Sequence, residues 1–352
     1  MPAGFLNGEL MADVRVASPT TAPPATKASP ARDAILELKA RIGKSVLGQD
    51  HLVEGMLIGL LANGNLLIES LPGLAKTRAV KTLAKNLAAD LSRVQFTPDL
   101  LPSDVTGAEI YLQTEKGGQF QFQKGPIFAN LVLADEINRA PAKVQSALLE
   151  AMEERQVTVA GKTYKMPDLF MVLATENPIE QEGTYPLPEA QLDRFLMHVV
   201  VSYPNEETES KIIKLNRDEN AQTPKTTTSE PAAVPQKAIF DARTEIDKIF
   251  VSDIAQKYMV DVVFATRYPN RYGEPLSKWL QIGASPRGSL ALDCCARVRA
   301  WLDGHEFVTP DHVRAVMHDC LRHRLILSYE ALSQGITADQ AIDKIASLVA
   351  AA

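Results

Sequence analysis

The sequence predicts an α/β protein with a parallel β-sheet, followed by a helical second part. Short apolar segments recur between helical patterns as far as residue 203, and segments that are apolar on both faces suit strands covered by helices. Beyond that point the apolar residues follow helical spacing instead. The five predicted strands are LLIE (66–69), RVQFT (93–97), LVLAD (131–135), FMVLAT (170–175) and MHVVVS (197–202).

Two further segments predict β-hairpins that project from the sheet as insertions. The first is AEIYLQTEKGGQFQFQKGPIF, with Gly117 and Gly118 expected at its turn. The second is QVTVAGKTYKM, with Ala160 and Gly161 at its turn. Glycine favours such turns because it adopts positive φ without steric cost.

Composition divides the chain into three parts. Residues 17–30 contain four prolines and no large apolar side chain, which predicts a disordered tail over residues 1–31. An α/β core is expected over 32–203 and a helical part over 204–352, whose first helix begins at the acidic run from Glu206. The stretch AQTPKTTTSEPAAVP predicts a disordered linker or loop at 218–236.

Charge and cysteine content exclude several classes of protein. The net charge of -6 and the lack of a Lys/Arg cluster argue against nucleic acid as a partner. No apolar run is long enough to insert into a membrane, and Asn7 and Glu9 interrupt the only apolar start that a signal peptide could use. Three cysteines cannot build a disulfide framework. A cytoplasmic protein is expected.

The stretch ESLPGLAKT follows the first predicted strand and precedes a helical pattern. It has the order of a phosphate-binding loop, GxxxxGKT, with Ser70 and Ala75 at the two fixed glycines. Gly73 allows a close backbone turn, Lys76 can reach the β and γ phosphates, and Thr77 can ligate magnesium. Ser70 can add a hydroxyl donor. Taken alone, the stretch could also be an ordinary helix-capping turn.

Polar side chains end two other predicted strands. Asp135 and Glu136 end the third strand and Asn177 follows the fourth, so all three lie at the edge where open α/β folds bind ligands. Asp135 would hold magnesium, Glu136 would orient or deprotonate the attacking water, and Asn177 could hydrogen-bond the γ phosphate. The alternatives are acids that cap a helix after Pro141 and a strand-terminating Asn-Pro turn.

Taken together, three motifs resemble the MoxR family of AAA+ ATPases. They are LPGLAKT, DEINRAPAKVQSALLEAMEE and TENPIEQEGTYPLPEAQLDRF, and alanine before the lysine is usual for that family. The resemblance runs from 47 to 204 and resumes at GASPRGSLAL and DHVRAVMHDCLRHRL. It implies a P-loop AAA+ core with a five-stranded parallel sheet and β-hairpin insertions, followed by an all-helical lid.

The resemblance also implies roles for single residues. Asn177 would be sensor 1, Arg194 the arginine finger acting on a neighbour's nucleotide, and Arg287 sensor 2 on the lid. Alternatively, Arg194 pairs only with Asp193, and Arg287 is an exposed residue of a helix's first turn. Asp135 and Glu136 would form Walker B. The remaining contacts with ATP would come from an adenine-flanking segment and Walker A: Val46, Leu47, Gly48, Gln49, Ser70, Leu71, Pro72, Gly73, Leu74, Ala75, Lys76 and Thr77.

The function implied by the resemblance is magnesium-dependent ATP hydrolysis at the subunit interfaces of a homo-oligomer, expected to be a hexameric ring. Hydrolysis would drive chaperone-like remodelling of protein clients, such as metalloenzymes or complexes, together with a partner that carries a von Willebrand factor A domain. ATP and Mg²⁺ are the expected cofactors. Two alternatives remain, a nucleotide-gated scaffold with negligible turnover and a DNA-acting motor, although the acidity of the chain opposes the latter.

Overall fold

A computed structural model describes residues 29–114, 117–179, 183–221 and 231–350. The strands are β1 Leu66–Ser70, β2 Leu91–Gln95, β3 Gly107–Thr114, β4 Gly117–Lys124, β5 Leu131–Asp135, β6 Gln156–Val159, β7 Lys162–Lys165, β8 Met171–Glu176, β9 Met197–Val201, β10 Leu280–Ile282 and β11 Ile326–Leu327. The helices are α1 Pro30–Ser45, α2 Asp50–Leu61, α3 Lys76–Asn86, α4 Pro102–Thr106, α5 Ala142–Glu154, α6 Glu189–Leu192, α7 Glu206–Ala221, α8 Gln236–Ile246, α9 Asp253–Arg267, α10 Leu276–Trp279, α11 Pro286–Leu302, α12 Pro310–Leu321, α13 Tyr329–Ser333 and α14 Ala338–Leu348.

The central sheet has five parallel strands in the order β2-β5-β8-β1-β9, as the sequence predicted. Side chains alternate between the two faces of each strand. In β1, Leu66 and Ile68 therefore pack in the core that includes α1, α2 and α3, whereas Leu67 packs in the core that includes α5. Burial on both faces explains why the strands are apolar throughout.

Both predicted hairpins form, one of them with a different turn. Ala160 and Gly161 have φ of 48° and 79° and join β6 to β7, as expected. Gly117 and Gly118 instead lie in β4, where they pair with Thr114 and Gln113, so the prediction that they form the turn is wrong. Residues 115 and 116, which connect the two strands, lie outside the described residues. The register of β3 against β4 fixes this result, because pairing continues up to Thr114.

The first helix after the sheet, α7, begins at Glu206, as predicted. The disordered segments that composition predicts have different boundaries in the structure. Helix α7 continues to Ala221, so the start of the predicted linker is helical, and residues 222–230 lie outside the described residues. At the other end of the linker, Val234 is buried and its N–H donates to the Asn86 carbonyl, 2.7 Å away. Helix α1 starts at Pro30, because Ser29 caps it and its first turn packs in the core.

Ionic contacts join the helical part to the sheet along the edge strand β9. The Arg324 side chain is buried, and it donates to the Asp193 carboxylate at 2.9 Å and to the Phe195 carbonyl at 2.6 Å. Arg322 pairs with Asp319 and donates to the His198 carbonyl of β9. These contacts fix the helical part on the core. In the described parts of the chain, no helix is both long enough and apolar enough to cross a membrane.

Candidate nucleotide-binding site

The loop between β1 and α3 keeps the backbone shape of a glycine-containing phosphate loop. Ala75 has a φ of 61°, in the left-handed region, and Gly73 has a φ of 83°. A left-handed alanine costs about 1–2 kcal/mol relative to a right-handed one, so the surrounding structure holds it there. Ala75 therefore takes the conformation that glycine would supply, and α3 begins at the next residue.

Two side chains of this loop, those of Ser70 and Lys76, donate hydrogen bonds to backbone carbonyls of the loop. The Lys76 ammonium donates to the Ser70 carbonyl at 3.1 Å. The Ser70 hydroxyl is buried and donates to the Leu71 carbonyl at 2.8 Å, so it stabilises the loop instead of facing a ligand. Alanine at position 75 cannot cap the first N–H groups of α3 through its side chain, which leaves them directed toward the loop. Such a helix N-terminus suits a phosphate group.

The carboxylates predicted at the end of β5 meet polar residues from two neighbouring strands. Asp135 is 8% exposed; one carboxylate oxygen pairs with Arg93 at 2.6 Å, and the other accepts from the Thr175 hydroxyl at 2.7 Å. Glu136 accepts from the Gln95 amide at 2.8 Å. Helix α5 starts at Ala142 after an N-cap that lacks a side-chain hydrogen bond, so the alternative that these acids cap it is wrong.

The sequence motifs did not predict the polar contacts that Arg93, Gln95 and Thr175 make at the end of β5. Arg93 and Gln95 alternate with a buried Val94 on β2, so both side chains leave the same face of the strand and reach the end of β5. That i, i+2 spacing of polar residues in a predicted strand is a signal that the sequence offered. Thr175 gave no such signal, since it ends an apolar strand and its hydroxyl partners depend on the sheet order.

Asn177 follows β8 and is 6% exposed. Its side-chain oxygen accepts from the Ile179 N–H at 3.2 Å, which is the turn geometry of the alternative interpretation. The same residue lines a cavity of about 470 Å³ at the carboxyl edge of the sheet, together with Glu69 and Asn138. Asn177 therefore lies at the expected strand end and shares a cavity with Glu69, which comes just before the phosphate loop.

Two carboxyl groups beside this cavity have displaced pKa values. A hydrogen bond with His198 lowers the pKa of Glu69 below its ordinary value, and burial raises the pKa of Glu176. The nitrogen and oxygen of the Glu69–His198 pair lie 3.2 Å apart. The two carboxyl groups lie on adjacent strands, which pair in register at Glu69 and Glu176.

The expected adenine-flanking segment packs beneath α7. Val46 is buried, and the Gln49 amide donates to the Ser202 carbonyl at 3.1 Å. Gly48 has a φ of 74°, and a Cβ there would lie 2.5 Å from a Thr208 methyl, so only glycine fits. Arg78 connects this segment to α3 by donating to the Ser45 carbonyl at 2.7 Å. The segment and the phosphate loop therefore lie on the same side of the core.

Arg194 and Arg287 lie together but far from the phosphate loop of their own chain. They line a cavity of about 300 Å³ with Asn63 and Asn65, which precede β1, whereas the phosphate loop follows β1. Five strand residues span roughly 16 Å. The structure therefore places Arg194 and Arg287 near the amino end of β1, whereas the phosphate loop follows its carboxyl end.

Both arginines contact one carboxylate. Arg194 pairs with Glu153 at 3.0 Å and Arg287 pairs with the same side chain. Asp193 bonds Arg324 instead, so the alternative pairing of Arg194 with Asp193 is wrong. Arg287 does lie in the first turn of α11, as its alternative interpretation expected, and its side chain is 44% exposed. The sequence gave no signal for Glu153, which is one of several acids near the end of α5.

Comparisons with known proteins agree with this geometry. Residues 65–197 match the model of the ATPase family associated with various cellular activities (AAA), and residues 277–345 match the AAA lid domain. Chaperone MoxR1 of Mycobacterium tuberculosis is 45% identical over 318 residues, which cover 90% of this chain and 81% of that protein. Protein MoxR of Methylorubrum extorquens is 30% identical over 307 residues, covering 84% of this chain and 88% of that protein.

A crystal structure of a candidate ATPase from Cytophaga hutchinsonii has the same fold, with a TM-score of 0.82 and 43% identity over 91% of this chain and 95% of that chain. The fold, the loop and the matched domains define an AAA+ ATPase, an enzyme that binds and hydrolyses ATP. Within that class, the chain belongs to the MoxR family.

Proposed function

We propose that this ATPase hydrolyses magnesium-bound ATP at interfaces between its own subunits in a hexameric ring, and that hydrolysis remodels protein clients. The observation that carries the proposal is the separation of Arg194 and Arg287 from the phosphate loop of their own chain. A surface patch at one end of β1 and a site at the other end suit a head-to-tail contact, and such contacts close into rings.

The chain's own residues supply most of the chemistry at the phosphate loop. Lys76 and the first N–H groups of α3 bind the phosphates, and Glu136 accepts a proton from the attacking water. Thr77 and Asp135 are oxygen ligands of the kind that Mg²⁺ prefers, and the ion would neutralise phosphate charge. Asp135 is paired with Arg93 in this structure, so Arg93 has to release that carboxylate when a cation binds.

The arginines of a neighbouring subunit complete the site. An arginine beside the γ phosphate stabilises charge that develops during transfer. Because Arg194 and Arg287 lie at the other end of β1, hydrolysis on one subunit depends on the presence of the next. Asn177 would position the water or the γ phosphate once its side chain leaves the Ile179 N–H.

A subunit-mixing experiment tests shared sites directly. Lys76→Ala removes nucleotide binding and Arg194→Ala removes the arginine donated to a neighbour, so each variant alone should be inactive. In mixed rings, an Arg194→Ala subunit keeps an intact ATP site that can receive Arg194 from a Lys76→Ala neighbour. We expect mixing to restore ATP hydrolysis, measured as phosphate release over a range of ratios.

The matched control mixes Lys76→Ala with Glu136→Gln. Both changes lie in the site that holds ATP, so no combination of these subunits assembles a complete site. Restored activity in the first mixture but not in the second supports the shared site. If Arg194→Ala alone hydrolyses ATP at the unmodified rate, Arg194 is not the finger.

The client is proposed to be a protein that contacts the projecting hairpins. Tyr111 and Phe120 are exposed on β3 and β4, with ring centroids 5.3 Å apart, and Phe122 stacks on Tyr164 to join the two hairpins. Exposed aromatic side chains suit contacts with polypeptide. One relative is named a chaperone, which agrees with remodelling; metalloenzymes or complexes as clients, and a partner with a von Willebrand factor A domain, are part of this proposal.

Protein clients are favoured over DNA because the chain is acidic, with a net charge of -6. The discriminating measurement is ATP turnover with duplex DNA at two salt concentrations. Stimulation by DNA that weakens steeply with salt would support the motor, whereas no stimulation supports protein clients. The family match supports hydrolysis over the scaffold with negligible turnover.

A further inference from the structure

We infer that Glu153 is a positioning residue, which holds Arg194 and Arg287 as one pair for the nucleotide of a neighbouring subunit. This inference rests on the proposed function, because it assigns a support to the arginines that the shared site uses. Glu153 itself contacts neither the phosphate loop nor the carboxylates at the end of β5 in the described residues.

The carboxylate of Glu153 bridges the two arginines with separate oxygen atoms. Oε2 lies 3.0 Å from Arg194, and Oε1 accepts from Arg287. Two guanidinium groups this close repel each other, and a shared carboxylate offsets that repulsion. The three side chains are 33%, 33% and 44% exposed, so the pair is held at the surface and not buried away from an incoming subunit.

Each arginine also has a second polar contact besides Glu153. Arg194 donates to the Leu149 carbonyl of α5 at 3.3 Å. The Arg287 guanidinium lies 3.8 Å from the Asp193 carboxylate, which also accepts from the Ser285 hydroxyl at 2.8 Å. Glu153 therefore connects α5, the segment before β9 and the lid helix α11 at a single point.

The charges at this point suit a phosphate. Asp193 pairs with Arg324 at 2.9 Å and lies 3.8 Å from Arg287. Glu153 is the carboxylate that Arg194 and Arg287 share. The three arginines and two carboxylates of this cluster give a local charge of plus one, and Arg194 and Arg287 are its partly exposed cations. The two arginine side chains are already ordered side by side, so they need not change rotamer when a γ phosphate binds. Such preorganisation favours the transition state.

Helix α5 gives this arrangement a further consequence. The helix follows the segment that begins with the Walker B carboxylates of the same chain, and Glu153 lies in its last turn. A shift of α5 that accompanies hydrolysis at one site would therefore move the arginine pair that serves the next site. Adjacent sites of the ring are thus connected through one helix.

The test uses the full-length chain with Glu153→Gln, Glu153→Asp and, as matched control, Glu154→Gln in the same helical turn. Assembly is followed by light scattering, ATP affinity by calorimetry, and ATP turnover at saturating ATP. We expect Glu153→Gln to lower maximal turnover roughly tenfold while assembly and ATP affinity stay within about twofold. Glu153→Asp should recover most of the loss, and Glu154→Gln should have no effect.

A double-mutant cycle separates positioning from a general structural role. If Glu153 acts only by positioning the two arginines, then adding Glu153→Gln to a variant that carries both Arg194→Ala and Arg287→Ala should lower turnover by less than about twofold. A similar loss in both backgrounds, loss of assembly, or normal turnover of Glu153→Gln would overturn the inference. If Arg194→Ala itself retains normal turnover, the proposed shared site fails first; a large loss for Arg194→Ala with none for Glu153→Gln overturns only the role of Glu153.

Discussion

The two ends of strand β1 differ in how completely they form a site. At the carboxyl end, the phosphate loop, Asp135 and Glu136 converge within one chain. At the amino end, Arg194 and Arg287 converge on Glu153. In the proposed function, the acids, the lysine and the helix N-terminus of the first group bind ATP, and the cations of the second group promote its cleavage. The comparison agrees with the proposed mechanism, in which the two ends act together across an interface between subunits.

The largest effect is expected at the amino end. Arg194→Ala should lower ATP turnover of the assembled protein about a thousandfold, because the γ phosphate loses its arginine. ATP affinity, measured by calorimetry, should remain nearly unchanged, since the phosphate loop of each subunit is intact. If Arg194→Ala assembles fully and its turnover is unchanged, the amino end of β1 does not take part in ATP hydrolysis.

The carboxyl end should respond differently to Glu136→Gln. Loss of the carboxylate should lower turnover about a hundredfold or more, because the water is no longer deprotonated. ATP should remain bound, so the variant is expected to accumulate in the assembled, ATP-bound state, visible by light scattering. Gln95→Ala, which removes the amide that bonds Glu136 at 2.8 Å, is a useful comparison; a normal turnover number for Glu136→Gln would refute its role.

A third change tests how the lid that carries Arg287 is held on the core. Burial raises the pKa of Asp319, but its hydrogen bond with His51 and the charge of Arg322 outweigh burial and lower that pKa below the ordinary 3.8. The hydrogen bond to Asp319 raises the pKa of His51 above 6.5. Asp319→Asn should therefore destabilise the fold by about 2 kcal/mol near pH 6, because Arg322 keeps only part of its pairing.

The pH dependence of that loss follows from the two shifts. The contribution of His51 is complete below its ordinary pKa and is lost as pH rises through its folded value. The contribution of Asp319 is present at neutral pH and is lost as pH falls through its depressed pKa. The difference in melting temperature between Asp319→Asn and the unmodified protein should thus be larger at pH 6 than at pH 8. An equal difference at both values would exclude the His51 pairing.

The smallest effect is expected in the phosphate loop. Ala75→Gly should stabilise the fold by about 1 kcal/mol or less, because glycine adopts the left-handed conformation without the steric cost of a Cβ. Turnover should stay within about twofold. Urea unfolding measures the change, and Ala79→Gly in the buried face of α3 is the control, since it should destabilise. A destabilised Ala75→Gly would mean that the loop depends on the alanine methyl.

The sequence alone determined the five parallel strands, the phosphate loop and the carboxylates at the end of β5. These features depend on local patterns: apolar strands buried on both faces, a loop before a helix, and polar residues at strand ends. The family followed from the same motifs. Each of them lies within a short stretch, so neighbouring residues carry the whole signal.

Only the tertiary structure decided the position of the arginines and their support. Glu153, Arg194 and Arg287 are far apart in the sequence, and their meeting depends on how α5, the segment before β9 and α11 pack. The contacts of Arg93 and Thr175 with Asp135 likewise required the strand order, which places β5 between β2 and β8. Local patterns specify elements, whereas side-chain contacts between distant elements depend on the packed fold.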